Sequence, residues 1–409
     1  MIGRYSITLK LFIVAEVSIG CAGTAIPQTP QVAAGCNKPT AEAIVHVQMP
    51  GSPFTAIPTR DGCWIFASLA RAGGGQSGVA VIKRDNGMVS LRRVVSLAGS
   101  PTGMVFTHDE QMLIVADGDR VAFLDVGRLI SGRGEAVLGY MSDPAAIGSI
   151  YVNVTSDDRF LFVSEERSAA ISVIDLAKAR ASGFGSGSTL GQIPTGNAPV
   201  GLTFSPDDRY LYATSQAAPR SLGWPADCKA EPGGAGGAPN HAHGALLVVD
   251  VAKATVDPAH SAIGGIAAGC NPVRVALSPS GDRAYVTARA DNELLTFDTK
   301  LMLSDTAHAL VGRVPVGTAP VGIIVMNGGS RIAVTNSNRF AGSGADHQFL
   351  TVIDAAKLSS GKDAVLGTIP AGGFPRELRV TADGQTLLVT NFSSRTVELV
   401  DLSRLHLGH

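Results

Sequence analysis

A turn tetrad, clearest at Ser205-Pro206-Asp207-Asp208, recurs seven times along the 409 residues, at 59–62, 107–110, 155–158, 205–208, 278–281, 326–329 and 381–384. Six residues before the tetrad stands a proline in six copies (Pro53, Pro101, Pro199, Pro272, Pro320 and Pro375), with Ser149 as the exception. Directly after it comes a short apolar run, as in Tyr210-Leu211-Tyr212-Ala213-Thr214 or Thr386-Leu387-Leu388-Val389-Thr390-Asn391. A third run ends on aspartate in copies two to seven, at Asp125, Asp175, Asp250, Asp298, Asp354 and Asp401. A fourth leads into the next Gly-x-x-Pro. The runs are too short and too β-branched for helices, so they read as strands.

A fixed period of about fifty residues must be interpreted before anything else. Four short strands per unit make the blade of a propeller, which buries its faces only against neighbouring blades. The expected fold is therefore all-β: a seven-bladed β-propeller with four antiparallel strands per blade. Copy seven stops after its third strand, and residues 43–48 (AIVHVQ) supply an apolar run ahead of Gly51-Ser52-Pro53. An N-terminal strand is thus expected to complete the last blade and leave no open edge. The domain boundaries that follow are an N-terminal linker at 26–41, the propeller at 42–402 and a tail at 403–409.

Gly-x-x-Pro, Ser-Pro-Asp-Gly and Val-Thr-Asn together resemble the YVTN β-propeller repeat, most closely at Val334-Thr335-Asn336, Val389-Thr390-Asn391 and Tyr285-Val286-Thr287. The resemblance runs over almost all of the chain after residue 41. It implies the seven-bladed fold, and it includes surface-layer proteins, exported proteins and relatives of the propeller lactonases. Fold alone does not choose among them.

Arg4 and Lys10 precede an apolar run at 11–19, interrupted by Glu16 and followed by Gly20, Cys21, Ala22 and Gly23. That pattern, over 1–25, reads as an export signal, too short for a spanning helix. Ser18-Ile19-Gly20-Cys21 resembles the end of a bacterial lipoprotein signal, with Cys21 lipidated; cleavage after Ala25 is the other reading, and both stay open. The expected location is periplasmic or cell-surface. Either cleavage leaves Cys36, Cys63, Cys228 and Cys270, an even set suited to disulfides in an oxidising compartment. Strand direction puts Cys36 and Cys63 on the lower face of adjacent blades and Cys228 and Cys270 on the upper face of blades four and five. The expected bridges are Cys36–Cys63 and Cys228–Cys270.

Lys plus Arg total 33 against 34 Asp plus Glu, so no global field favours a nucleic acid. A membrane enters only through a lipid at Cys21, and a monomer is expected. No Gly-x-Ser-x-Gly elbow, His-Glu-x-x-His, Walker loop or Cys-x-x-Cys-His occurs, and no cofactor is implied.

Chemistry on a propeller comes from the loops entering strand one and joining strands two and three, which share the upper face. Two residues after the repeat proline the copies carry Thr55, Gly103, Tyr151, Gly201, Arg274, Gly322 and Glu377. Glycine suits a tight turn there, which singles out Tyr151, Arg274 and Glu377. Strand two ends on Asp117, Glu165, Asn336 and Asn391 in four copies, with Glu166, Arg289, Arg339 and Arg376 nearby. These residues are the candidates for binding a small polar or acidic molecule, or a protein partner, at the upper channel mouth. The insertion between Gln216 and His243 carries His241 and His243, candidate metal ligands that need a third, for which Asp346 or His347 is available. Two functions compete: a non-catalytic binding or scaffold propeller, and a lactonase-like hydrolase using Arg274 with Glu377 or Glu165 on a sugar or muconate-type lactone.

Overall fold

The computed structural model describes residues 38–143, 145–219, 222–229, 240–339 and 348–405, with Met1, Gly3 and Cys36. The export signal and Cys21, and the insertion residues Asp346 and His347, lie outside the described residues. Among those described, no helix is long and apolar enough to cross a membrane.

Seven four-stranded antiparallel sheets follow one another along the chain. The protein is a seven-bladed β-propeller. The last sheet pairs the N-terminal strand Ile44–Gln48 with the C-terminal strand Thr396–Asp401, in the register Ile44↔Val400 through Gln48↔Thr396. This is the closure that the truncated seventh copy calls for. In blades two and seven the second strand, Met112–Asp117 and Thr386–Asn391, is buried at every residue. The core lies between blades: Ile57, Phe66 and Val81 of blade one pack with Met104, Leu113 and Leu124 of blade two, and Val47, Leu388 and Leu399 of blade seven pack with Ile65 and Ile82 of blade one. Each blade thus buries its apolar faces only when both neighbours are present.

The repeat residues have separate mechanical jobs. In the tetrad, the Thr107 hydroxyl donates to Asp109 Oδ1 at 2.6 Å and accepts from the Met112 N–H at 3.1 Å, and Thr155, Ser205 and Thr381 donate likewise to Asp157, Asp207 and Asp383. The fourth position takes positive φ, from 54° at Glu110 to 100° at Gly329, which favours the glycine found there in four of the seven copies. The acidic residues there also clasp the preceding blade. Glu110 Oε1 accepts from the Arg60 N–H at 2.8 Å, and Asp158 Oδ2 from the His108 N–H at 2.8 Å.

Strand one carries a register shift just after the repeat proline, for example between Pro272 and Val275. A hydroxyl in strand two answers it. Thr287 Oγ1 accepts from the Arg274 N–H at 3.1 Å and donates to the Val321 carbonyl of the next blade at 2.9 Å. Thr214 does the same between Gly201 and Val273, and Thr390 links Glu377 to Phe54 across the seam. In blade two, where Ala116 replaces the hydroxyl residue, Thr102 Oγ1 reaches the Ser149 carbonyl of blade three instead, at 3.4 Å. Each such buried bond is worth about 1 kcal/mol net, and orphaning its partners costs more.

The third run ends on aspartate as expected, and three of these aspartates also cap short helices that the repeat pattern did not foretell. Asp125, Asp175 and Asp250 accept from the N–H groups of Arg128, Lys178 and Lys253 at 2.8–2.9 Å, opening the helices Val126–Ser131, Leu176–Ala181 and Val251–Ala254. These helices are too short to show helical periodicity, so only the N-cap chemistry of aspartate marks them.

Both expected disulfides are present, with Cα atoms 4.7 Å apart in Cys36–Cys63 and 5.4 Å apart in Cys228–Cys270. The first ties the segment ahead of the closing strand to blade one. The second ties the blade-four insertion to the loop leading into blade five.

Candidate functional site

Tyr151, Arg274 and Glu377 meet at the axis although they come from blades three, five and seven. Arg274 Nε donates to Glu377 Oε2 at 3.0 Å, and Arg379 Nη1 donates to Glu377 Oε1 at 2.8 Å. Arg379 also donates to the Tyr151 hydroxyl, and the Arg274 guanidinium lies 4.6 Å from the Tyr151 ring centroid. The ion pair is out of water, with side-chain exposures of 4% for Arg274 and 2% for Glu377. Arg379 was not foreseen, yet the signal was available: strand periodicity puts the residue four after the proline on the same face as the residue two after it.

Burial alone would push the Glu377 carboxyl up, but Arg274 and Arg379 outweigh it and hold the group below the ordinary glutamate value. Burial likewise opposes the charge on Arg379, while Tyr151 and Glu377 raise its guanidinium above the ordinary arginine value. Glu377 is therefore an ionised strut with both oxygens committed, a poor proton carrier. The two terminal nitrogens of Arg274, Nη1 and Nη2, are buried and have no hydrogen-bond partner among the described residues.

These groups line a cavity of about 570 Å³ bounded also by Asn153, Thr203 and Ile323, which extends to the tetrad residues Pro279, Gly328 and Ala382. A second cavity, of about 440 Å³, shares Tyr151, Asn153 and Arg379 and extends to Thr59, His108 and Glu110. The expectation placed these side chains at the upper mouth; the spaces they line run to the opposite, tetrad face. Above them Val200, Val273 and Val321 of three successive blades form one buried apolar cluster with Ile150 and Phe374. Beside that cluster the Arg376 guanidinium lies 3.7 Å from the Phe54 ring centroid, with Phe374 and Phe392 at 5.4 and 5.6 Å. Burial, with Arg274 and Arg339 adding repulsion, holds Arg376 well below the ordinary arginine value against the pull of Glu166 and Glu377.

The residues ending strand two do not line these cavities; they pin strands within their own blades. The Asn336 amide donates to the Phe349 carbonyl at 3.0 Å and to Thr351 Oγ1 at 2.9 Å, and the Asn391 amide donates to Glu398 Oε2 at 2.8 Å. Asp117 accepts from Arg120 Nε at 3.0 Å, and burial still raises its carboxyl above the usual range. Glu165 accepts from the Ser149 hydroxyl at 2.8 Å and lines a separate small pocket with Arg120, Asp143 and Ser172, so it does not join Arg274.

Burial pushes Glu165 up to about 7 against the hydrogen bond from Ser149. Its folded value exceeds its unfolded one, so its contribution to stability is complete below about pH 4.5 and is lost as pH rises through about 7. Glu165→Gln is expected to stabilise the fold by up to about 3 kcal/mol near pH 8 and to change nothing near pH 4.5. Thermal melts of the two proteins across that range check it; an equal shift at both ends would show another cause.

In the blade-four insertion, His241 Nδ1 lies 2.8 Å from the Ala242 carbonyl, whereas His243 Nε2 lies 2.7 Å from Asp227 Oδ1. His243 thus stands with Asp227 and the Cys228–Cys270 pair, and His241 is not part of that group.

Among solved structures the chain is similar to a chain of the Kuenenia stuttgartiensis hydrazine synthase, with a TM-score of 0.62 and 17% identity over 87% of this chain and 96% of that one. It is similar also to a chain of the mitotic checkpoint complex, with a TM-score of 0.63 and 16% identity over 96% of this chain and 99% of that one. Such identities establish a shared propeller and nothing finer. No family model matches the chain, that of the YVTN repeat included. No curated protein matches it.

Proposed function

We propose that the protein is an exported, YVTN-type binding propeller whose channel receives a small carboxylate-bearing molecule from the tetrad face. The observation that carries this reading is Arg274: a guanidinium fixed through Nε by Glu377, with both terminal nitrogens buried and without a hydrogen-bond partner among the described residues, in a residue that lines the cavity. The planar guanidinium fork matches a carboxylate in a bidentate pair, which a small rotation of the side chain toward the cavity would allow. Arg274 and Arg379 against Glu377 leave the cluster one positive charge in excess, which an anion in the channel would balance. Tyr151 and the apolar wall from Ile323 offer surface for the rest of the ligand. The two disulfides suit an oxidising location.

The experiment is calorimetric titration of the purified chain with succinate and with glucuronate, using glucose as the uncharged control. At least one carboxylate is expected to bind, and Arg274→Gln to weaken it by roughly tenfold or more. Absence of binding by both acids, equal binding of glucose, or indifference to Arg274→Gln overturns the reading.

A further inference from the structure

The blade-four insertion returns to the blade through a short antiparallel bridge in which the Cys228 and His241 backbones exchange hydrogen bonds at 3.2 and 2.9 Å. That bridge fixes the backbone carrying Asp227 and His243 on one side, while Cys270 approaches from the loop before Pro272. One carboxylate oxygen of Asp227, the Sγ atoms of Cys228 and Cys270 and one imidazole nitrogen of His243 all lie within 4.8 Å of one another. The sequence pattern pointed to His241 with His243; the fold instead assembles His243 with partners separated by up to 43 residues of chain.

We propose that Asp227, Cys228, His243 and Cys270 form a zinc site that is filled when the Cys228–Cys270 disulfide is reduced. Two thiolates, an imidazole and a carboxylate make four donors of the types that ligate zinc, and they lack the oxygen-rich shell that calcium or magnesium needs. A tetrahedral zinc with bonds of about 2.0–2.3 Å has donor-to-donor edges of roughly 3.3–3.8 Å, so the donors need only small movements to reach it. Solvent reaches the group through Asp227 and His243, whose side chains are 69% and 28% exposed, while Cys228 is buried.

Metal and disulfide exclude each other, because a sulfur ligates zinc as a thiolate and neither sulfur is one while the bond between them stands. Two electrons and two protons from a dithiol donor cleave the Cys228–Cys270 bond to two thiols, and the donor becomes a disulfide. Zinc then takes both sulfurs as thiolates and releases the two protons. The same residues therefore tether the insertion to blade five in either redox state, covalently when oxidised and through the ion when reduced.

The test uses the full chain, a water-soluble phosphine as reductant and cobalt(II) chloride as the probe. Reduction is expected to bring in the visible bands of tetrahedral cobalt with thiolate-to-cobalt charge transfer, and zinc chloride to abolish them. Asp227→Asn and His243→Ala are expected to weaken cobalt binding by roughly tenfold or more, and Cys228→Ser/Cys270→Ser to remove the bands. Bands that persist in the double serine variant would belong to the other cysteines and overturn the assignment, as would their absence after reduction or indifference to His243→Ala. Because reduction also opens Cys36–Cys63, a Cys228→His/Cys270→His variant tests the placement without reductant: zinc chloride should raise its melting temperature, and no rise overturns the proposal.

Discussion

Replacing Glu377 with alanine is expected to lower stability at neutral pH by about 3–5 kcal/mol, the usual cost of leaving buried charges without their partner. Arg274 and Arg379 would then face each other across the axis without the carboxylate whose two oxygens they share, and Arg376 would lose part of the pull that offsets them. For a propeller of this size that corresponds to a fall of about 5 °C in melting temperature. Glu377 is held below its ordinary value, so its contribution is present above about pH 4.5 and is lost as pH falls through the lower folded value. The gap between the two proteins should accordingly be widest near neutrality and narrow in acid. Glu377→Leu combined with Arg274→Met is expected to recover part of the loss, since Arg379, still bonded to the Tyr151 hydroxyl, is then the one partner of Glu377 left without its carboxylate. Melts that show Glu377→Ala as stable as the parent would mean that the arginines are hydrated from the cavity.

Cys36→Ser with Cys63→Ser is expected to cost about 3.5 kcal/mol, the loop-closure entropy for a crosslink across 27 residues. Cys228→Ser with Cys270→Ser, across 42 residues, should cost a similar amount if the unfolded chain is all that the crosslinks constrain. The local consequences differ. Losing Cys36–Cys63 frees the segment just ahead of Ile44–Gln48, so amide exchange in that strand should quicken. Losing Cys228–Cys270 should leave exchange there unchanged. Exchange mass spectrometry on both variants separates the cases, and equal protection of Ile44–Gln48 in the two would show that the seam needs no staple.

Blade number, the split last blade and both disulfides were legible because each follows from a repeat period and the alternation of strand direction. Thr287 and Thr390 were visible as repeat residues, but their work in joining blades depends on a register shift that no apolar pattern records. The candidate site was half legible. Tyr151, Arg274 and Glu377 stood out as departures from glycine, and they do converge. Asp117, Glu165, Asn336 and Asn391 were placed beside them because strand two ends on the same face, yet their partners are in their own blades. The direction in which the cavity opens was hidden for a related reason. Periodicity assigns a side chain to a face of its own strand, whereas the apolar cluster of Val200, Val273 and Val321 forms only where several blades meet.

The seam has a consequence for the order in which this molecule can be made. Ile44 pairs with Val400, so a strand made ahead of blade one waits for a strand made after blade six, and blades one to six can form before the ring can shut. A chain that stops before Thr396–Asp401 would keep those blades but expose the edges of blade seven and the unpaired Ile44–Gln48. Such separated contacts are slow to form, and open strand edges invite pairing between chains in the interval. Cys36 and Cys63 are both made early, and their bond parks the waiting strand against blade one, where its partner will arrive.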